Sequence, residues 1–279
     1  MINKNLNIKI NSKAFFGLLC FGVFFLVTNC DPDETQDVAK FNNLVMYDDF
    51  NGETILNDLF WDYEIGTGDN GWGNNELQYY TDRPENVLVE NGVLTITARQ
   101  EDYEGSSYTS GRIVTRGKVE QTYGRFEARI KLPWGQGLWP AFWILGANID
   151  EVGWPQCGEI DAMENRGQEP TLINGTVHGP GYSGANGITK PYELTNDRFD
   201  TGFHIFGIEW GPNYINFYVD GDLYNQITPE DVTGEWVYDH DFFIIMNLAV
   251  GGNYVGSPDA TTVFPQEMLV DYVKVYSAD

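Results

Sequence analysis

Three carboxylates fall within six residues of this sequence, at Glu159, Asp161 and Glu164, with mostly apolar residues between them. In a β-strand alternate side chains share a face, so Glu159 and Asp161 should point one way and Glu164 the other. One extra residue in a β-bulge, at Ala162 or Met163, would bring all three onto one face. The two glutamates would then lie roughly 13 Å apart at Cα, and inward-leaning side chains on a concave sheet would bring the carboxyl groups closer. A pair about 5.5 Å apart can supply a nucleophile and a general acid/base, the chemistry of retaining glycoside cleavage.

The simpler alternative for this segment is a solvated acidic edge strand, since exposed strands often carry carboxylates at alternate positions. The aromatic residues around the segment argue against it. The sequence contains no glycine-rich phosphate loop, zinc-ligand spacing or Ser/His/Asp order, and its three histidines are widely dispersed. We therefore expect no cofactor in catalysis.

The elements that must position these carboxylates are predicted to be strands from Leu44 onward. Residues 87–99 fold back at Glu90-Asn91-Gly92, and residues 214–224 turn at Asp220-Gly221, as hairpins do. Residues 124–132 alternate between apolar and charged side chains, and residues 242–250 and 268–276 form further apolar strands. Many strands and 31 glycines, without long helical periodicity, predict an all-β fold. We expect one antiparallel β-sandwich or jelly roll.

The segment from Trp154 to Asn165 resembles the signature of glycoside hydrolase family 16, in the bulged form carried by laminarinases. Residues 71–80, 137–143 and 175–181 extend this resemblance, which runs from about Leu44 to Tyr276. It implies a concanavalin-like jelly roll with a concave substrate cleft. It also implies an endo-acting, retaining hydrolase of β-1,3-glucan, with Glu159 as nucleophile, Glu164 as acid/base and Asp161 orienting Glu159.

Candidate sugar-binding residues lie in the same matching segments. Trp139 and Trp143 stand four residues apart on a predicted strand, hence on one face, where an indole could stack on a pyranose ring. Core packing is the alternative for both. The resemblance favours the cleft, and it adds Asn74, Arg112 and His178 as polar neighbours of the sugar hydroxyls.

The acidic balance of the chain bears on its partners. The formal net charge is −25, and residues 1–29 hold three lysines and no acid, so the chain without them has 13 basic and 41 acidic residues and a charge of −28. Such a surface repels polyanions, which excludes nucleic acid and disfavours sulfated polysaccharides. A neutral β-glucan is the expected partner of a monomeric protein. Mixed-linkage β-glucan, galactans and a non-catalytic glycan-binding role remain alternatives, although mixed-linkage enzymes of this family usually carry the unbulged motif.

The N-terminal region reads as an export signal. Residues 1–29 contain three lysines followed by an apolar run that ends just before Cys30. The run is about 14 residues long, which is too short to span a bilayer. Cys30 resembles the lipidated cysteine of a bacterial lipoprotein, although Asn29 replaces the usual small residue. We expect residues 30–43 to form a flexible tether, with Cys30 as a membrane anchor, and residues 44–279 to form the catalytic domain. Acidic residues 31–34 resemble the surface-export signal of Bacteroidota lipoproteins, which predicts the outer-membrane surface, with the periplasm as the alternative.

Two further predictions concern Cys157 and a cation. Cys157 stands alone in the mature chain, so we expect no internal disulfide and an inert buried thiol. Strand parity places Asp271 among Leu269, Val273 and Val275, where a carboxylate needs either a salt bridge, backbone donors or a cation. The resemblance favours a structural calcium bound by Asp49, the carbonyl of Gly92 and Asp271.

Overall fold

The computed structural model of this protein describes residues 40–52 and 54–278. The predicted signal, the lipidation site at Cys30 and most of the predicted tether lie outside these residues. Within them, strands dominate, and helix is confined to α1 (Ile149–Val152), a π-helical turn (Gly71–Asn75) and a 3₁₀ turn (Gly184–Asn186). No helix in the described ranges has the length and apolar character needed to cross a membrane.

The described chain forms eighteen strands. In chain order they are β1 (Asn43–Asp48), β2 (Asp62–Tyr63), β3 (Gln78–Tyr80), β4 (Val87–Glu90), β5 (Val93–Tyr103), β6 (Ser106–Ser110), β7 (Arg112–Val114), β8 (Glu120–Gln121), β9 (Gly124–Lys131), β10 (Leu138–Gly146), β11 (Glu159–Asn165), β12 (Leu172–His178), β13 (Ile188–Glu193), β14 (His204–Gly211), β15 (Tyr214–Val219), β16 (Asp222–Ile227), β17 (Phe242–Val250) and β18 (Gln266–Ser277).

These strands make two sheets. The first has the order β16, β15, β14, β9, β18, β5, β6, β3, with β1 beside β18 and β4 beside β5. The second has the order β13, β12, β11, β10, β17, β7, β2, with β8 beside β17. The described strand pairs are antiparallel apart from β3 with β6. The predicted all-β antiparallel sandwich is confirmed, and the carboxylate-rich strand β11 lies well inside the second sheet.

Local turn chemistry explains both predicted hairpins. Between β4 and β5, Asn91 and Gly92 adopt φ values of 55° and 75°. Between β15 and β16, Asp220 and Gly221 adopt 52° and 89°. Two successive positive φ values define the tight hairpin turn whose twist matches that of the strands, and Asn, Asp and Gly accept this conformation most readily.

The core lies between the two sheets. Strand β9 has the predicted alternation, since Phe126, Ala128 and Ile130 are fully or almost fully buried. Trp210 on β14 meets Phe242 on β17 with 4.9 Å between ring centroids, which joins the sheets directly. Burying one such side chain contributes about 1.5–3 kcal/mol. Because one face of the second sheet is committed to this core, alternate residues of β10 and β11 are left for the opposite face.

Candidate active site

Strand β11 contains the predicted bulge. Against β12, Asp161 pairs with Thr176 and Glu164 pairs with Asn174, so three steps along β11 match two steps along its neighbour. On the other side, the register with β10 leaves Ala162 as the unpaired residue. The extra residue reverses strand parity between Asp161 and Glu164, as the sequence predicted.

The bulge brings the three carboxylates together on the face away from the core. Ile160 is fully buried, whereas Glu159 and Glu164 are partly exposed. His178, on β12, lies opposite Glu159 and is close to both Glu159 and Asp161. The three predicted reactive carboxylates and the predicted binding residue His178 therefore form one cluster.

Glu159 has a neighbouring N–H group near each of its carboxylate oxygens. Trp154 donates from Nε1 to Oε2 at 2.9 Å. His178 places Nε2 at 3.7 Å from Oε1. Trp154 and His178 also lie ring to ring, with 6.1 Å between centroids. Two groups with N–H donors thus face a carboxylate whose side chain is 17% exposed.

Asp161 is the most deeply buried of the three. Its side chain is 4% exposed, and its Oδ2 lies 3.3 Å from Nε2 of His178. The carboxyl is hydrogen-bonded to Glu159. Its Oδ2 accepts no hydrogen bond from the described residues. Asp161 is therefore placed to position Glu159 rather than to meet a substrate in the open cleft.

Glu164 has its own set of aromatic neighbours. Trp139 donates from Nε1 to Oε1 of Glu164 at 2.9 Å. Tyr254 packs against Trp139 with 4.9 Å between ring centroids, and its hydroxyl accepts a hydrogen bond from Asn174 at 2.8 Å. The guanidinium of Arg166 lies 4.3 Å from the centre of the Tyr254 ring. The two glutamates thus occupy distinct environments, each with its own indole donor.

Burial raises the pKa values of the whole cluster. Burial, together with the charge of Asp161, raises the pKa of Glu159 to about 8, although His178 and Trp154 oppose the rise. Burial and the charge of Glu164 raise the pKa of Asp161 well above its usual range. Burial also raises the pKa of Glu164, against the opposing effects of His178, Trp139 and Arg166. Burial therefore favours the protonated form of each of the three carboxyls.

The two predicted tryptophans lie on the cleft face of β10. Trp139 and Trp143 are partly exposed, and the residues that alternate with them, such as Phe142 and Ile144, are buried. Trp143 donates from Nε1 to Oδ1 of Asn247 at 2.8 Å. Both indoles therefore have polar partners beside the carboxylates, and the Trp143 ring also packs against a small buried cluster that includes Leu145, Cys157 and Phe243.

Arg112 lies next to Trp143, as the predicted binding set requires. Its guanidinium is 5.0 Å from the Trp143 ring centre and 4.3 Å from that of Trp72. Its Nε donates to Oε2 of Glu64. Arg112 is only 8% exposed, so a buried charge is fixed between two indoles.

Asn74 reaches the site through the turn before β3. A side chain added at Gly252 would meet the carbonyl of Asn74, Cγ of Glu76 and Cζ3 of Trp139 within 3.7 Å. The side chain of Asn74 is hydrogen-bonded to Glu76. The five predicted binding residues thus line one continuous surface around the carboxylates.

Several residues of this surface were not predicted individually. They are Trp154, Tyr254, Asn247 and Glu76. Glu76 accepts hydrogen bonds from Gln78 at 2.7 Å and from Tyr80 at 3.2 Å, and Asn247 donates to the hydroxyl of Tyr80 at 3.2 Å. Trp154 carried a usable signal, because it stands five residues before Glu159. The others depend on contacts between distant parts of the chain.

The structure corrects the expected surroundings of Asp271. A second bulge interrupts β18, where Val270 pairs with Ile130 and Tyr272 pairs with Arg129, so that Asp271 is the extra residue. Parity fails there. Asp271 does not share an apolar row with Leu269, Val273 and Val275; its side chain is 36% exposed and pairs with Arg129 at 2.7 Å.

The other predicted calcium ligands lie near one another. A Cβ at Gly92 would lie 2.5 Å from Oδ1 of Asn51, so the hairpin turn touches the segment that holds Asp49. Desolvation and the charges of Asp49 and Asp271 raise the pKa of the Tyr47 phenol, which places both carboxylates around that hydroxyl. The donor set is the oxygen type that calcium prefers. The salt bridge to Arg129 already supplies the compensation that Asp271 needs, so the fit is partial.

Cys157 is fully buried and unpaired, as predicted. Burial raises the pKa of its thiol to about 11. The thiol is therefore protonated at neutral pH and unreactive.

A β-sandwich with two indole-bound glutamates on one strand and aromatic residues on the same face is the arrangement expected of a carbohydrate-active hydrolase. The family described as Glycosyl hydrolases family 16 matches residues 74–274. The chain belongs to glycoside hydrolase family 16.

Individual relatives point the same way. The chain is 43% identical over 256 residues to a protein named Beta-glucanase from Rhodothermus marinus, with 87% of this chain and 88% of that protein covered. Among solved structures, it is 47% identical to the catalytic domain of an endo-1,3-beta-glucanase (laminarinase) from Thermotoga petrophila, with a TM-score of 0.82. That alignment covers 87% of this chain and all of the other. An endo-beta-1,3-glucanase from Pyrococcus furiosus is 52% identical, with a TM-score of 0.81 and coverage of 85% and 94%.

Proposed function

We propose that this protein is an endo-acting, retaining β-1,3-glucanase that hydrolyses laminarin-like glucans. The observation that carries the proposal is the bulge at Ala162, which sets Glu159 and Glu164 on one face with a separate indole donor on each. Names of the similar proteins supply the linkage, since they include endo-1,3-beta-glucanases. Family membership supplies the retaining stereochemistry.

The chemistry follows from the different surroundings of the two glutamates. Glu159 must be ionised to attack the anomeric carbon, and Glu164 must carry a proton for the leaving oxygen. Trp154 and His178 stabilise the anionic form of Glu159. Burial and the charge of Glu164 raise the pKa of Asp161, which favours a neutral carboxyl beside the nucleophile.

The second step reverses the proton transfer. After the leaving group departs with the proton of Glu164, the glycosyl group is bonded to Glu159. Glu164, now ionised, removes a proton from water as the water attacks the same carbon. Two displacements at one carbon restore the β configuration. Glu164 is suited to both roles because its raised pKa lies nearer to working pH than that of an exposed glutamate.

The substrate surface is suited to a neutral glucan. Trp139 and Trp143 offer aromatic faces for sugar rings, and Arg112, Asn74 and His178 offer polar groups beside them. A formal charge of −25 disfavours sulfated chains.

We also propose that this protein is a lipoprotein anchored through Cys30 on the outer-membrane surface. A polymer too large to cross the membrane is accessible there.

Incubation with soluble laminarin tests the proposal. We expect new reducing ends and a mixture of oligosaccharide lengths early in the reaction, which identifies endo cleavage. Proton NMR of the first products should show the β-anomer before mutarotation. A glycan-binding protein would retain laminarin without releasing reducing ends. Faster release from mixed-linkage β-glucan than from laminarin would overturn the linkage assignment.

A further inference from the structure

We propose that the cluster of Glu159, Asp161 and His178 is also a binding site for a divalent transition-metal ion of the Zn²⁺ type, and that the bound ion reversibly blocks the cleft. Three potential ligand atoms, one from each residue, all lie within 4.8 Å of one another. Binding itself does not depend on the proposed glucanase activity. Only the inhibition does.

The spacing of the three atoms suits a small tetrahedral ion. Bonds of about 2.0–2.2 Å to nitrogen and oxygen set two ligand atoms of a tetrahedron about 3.3–3.6 Å apart. Nε2 of His178 lies 3.3 Å from Oδ2 of Asp161 and 3.7 Å from Oε1 of Glu159. Both distances are within a few tenths of an ångström of the tetrahedral spacing, and the ligand atoms of Glu159 and Asp161 lie within 4.8 Å of each other.

The ligand atoms are also available. Oδ2 of Asp161 belongs to a side chain that is 4% exposed, and it accepts no hydrogen bond from the described residues. Trp154 donates to Oε2 of Glu159, which leaves Oε1 as the oxygen that faces His178. The same tryptophan would orient the glutamate as a metal ligand. A buried, unsatisfied oxygen beside an imidazole is an arrangement that a cation can complete.

The chemistry of the donors limits which ion binds. Imidazole with two carboxylates suits Zn²⁺ and its neighbours, whereas Ca²⁺ and Mg²⁺ prefer more numerous oxygen ligands. Nδ1 of His178 is buried and has no hydrogen-bond partner among the described residues. A ligating histidine usually donates from its second nitrogen, and loss of that partner weakens metal binding roughly 10–100-fold. We therefore expect a reversible ion rather than a permanent one.

The consequence is competition at the reacting atoms. Oε1 or Oε2 of Glu159 must reach the anomeric carbon, and an ion on Oε1 ties the carboxylate to Asp161 and His178. The ion also occupies space in the cleft, since its fourth ligand, water, must lie on the open side. Metal and glucan should exclude one another.

Direct binding is measured with Co²⁺ as the probe, because the visible absorption of a tetrahedral Co²⁺ site reports binding without any enzyme assay. We expect one Co²⁺ per chain, displaced by Zn²⁺ and by laminarin oligosaccharides. His178→Asn should weaken binding at least about tenfold. His204→Asn is the matched control, because His204 pairs with Asp220 elsewhere in the fold and its loss should leave Co²⁺ binding unchanged.

Inhibition is measured separately with wild-type protein and laminarin. Zn²⁺ should raise KM with little effect on kcat, a chelator should restore full activity, and Ca²⁺ or Mg²⁺ should not inhibit. Equal Co²⁺ binding by the wild type and a folded His178→Asn variant would overturn the proposal, as would inhibition that glucan does not relieve. Hydrolysis without Co²⁺ binding would refute this inference alone, and Co²⁺ binding without hydrolysis would refute the proposed function alone.

Discussion

Trp154 donates a hydrogen bond from its indole nitrogen to Oε2 of Glu159, with 2.9 Å between the two atoms. The indole is half exposed, so this donor sits where the buried carboxylate meets the cleft. A hydrogen bond donated to a carboxylate stabilises its ionised form. Trp154 therefore opposes the rise in the pKa of Glu159 that burial causes.

Replacing Trp154 tests this role. In Trp154→Phe the pKa of Glu159 should rise further, and the acidic limb of the kcat/KM profile should move up by about half to one pH unit. The sign follows because the nucleophile must lose its proton to act. Trp134→Phe is the control, since Trp134 is comparably exposed and contacts Arg198, away from the carboxylates. If the acidic limb of the kcat/KM profile lay at the same pH in Trp154→Phe as in the wild type, the role assigned to Trp154 would be contradicted.

The roles of the two glutamates should be distinguishable from the products that their alanine variants form with azide. Glu159→Ala and Glu164→Ala should each lose most of the activity, and general acid catalysis alone contributes roughly 10²–10⁴-fold. Azide added to Glu159→Ala should yield an α-glycosyl azide, because the anion takes the place of the nucleophile. In Glu164→Ala, with a substrate that carries a good aryl leaving group, azide should attack the glycosyl enzyme and yield the β-glycosyl azide. Mass spectrometry and NMR identify both products; the same anomer from both variants would exclude the assigned roles.

The buried nucleophile should reduce stability at neutral pH. Its pKa is about 8 in the fold against about 4.5 in the unfolded chain. Between these values the unfolded state loses the proton and the folded state keeps it, so stability falls as pH rises from 4.5 toward 8. At pH 7 this cost is up to about 3 kcal/mol.

Glu159→Gln should therefore raise the Tm by several degrees at pH 7 and change it little at pH 4, where both states are protonated. Thermal unfolding followed by circular dichroism at the two pH values provides the measurement. Glu267→Gln, at an exposed position of β18, serves as the control and should leave the Tm unchanged at both. A lower Tm for Glu159→Gln than for the wild type at pH 7 would refute the proposed dependence of stability on the ionisation of Glu159.

Calcium binding at Asp49, Gly92 and Asp271 stays a prediction. If the ion binds, it stabilises the fold by about 2.7 kcal/mol at a hundredfold excess over its Kd, and a chelator should lower the Tm by several degrees. Asp271→Asn should abolish this response. Arg129→Gln should enlarge it, because it removes the competing partner of Asp271. Asp102→Asn is the control, and a Tm indifferent to chelator and calcium in all variants would rule the site out.

The surface location predicted from Cys30 also stays open to test. Wild-type protein should sediment with membranes, and Cys30→Ala should not. Protease added to intact cells should remove the wild-type protein if it lies on the outer surface. Survival of the protein while known surface proteins are cleaved would place it in the periplasm.

One bulge was predictable and the other was not, for a definite reason. On β11, three carboxylates had to share a face for any chemistry, so the odd spacing of Glu164 required an extra residue. On β18, regular parity gave a plausible apolar row for Asp271, and nothing in the local pattern signalled an insertion. That bulge lies where β18 exchanges one neighbour, β5, for another, β1, and this exchange is a property of the whole sheet.

The same limit applies to the hydrogen-bond partners in the cleft. Trp139 and Trp143 were predictable because both lie on one strand and parity fixes their direction. The chain of contacts from Trp143 through Asn247 and Tyr80 to Glu76 joins residues up to 167 positions apart. Sequence spacing carries no information about such partners until the strand order is known.

The unpaired Ala162 shifts the register of β11 by one residue. Because Glu164 lies an odd number of residues from Glu159 and Asp161, this shift returns its side chain to their face of the sheet. A chain that lacked Ala162 would still present all three carboxylates to the cleft, because they would then fall at strictly alternating positions. This strand can therefore lose that one residue and keep its three carboxylates on the same face.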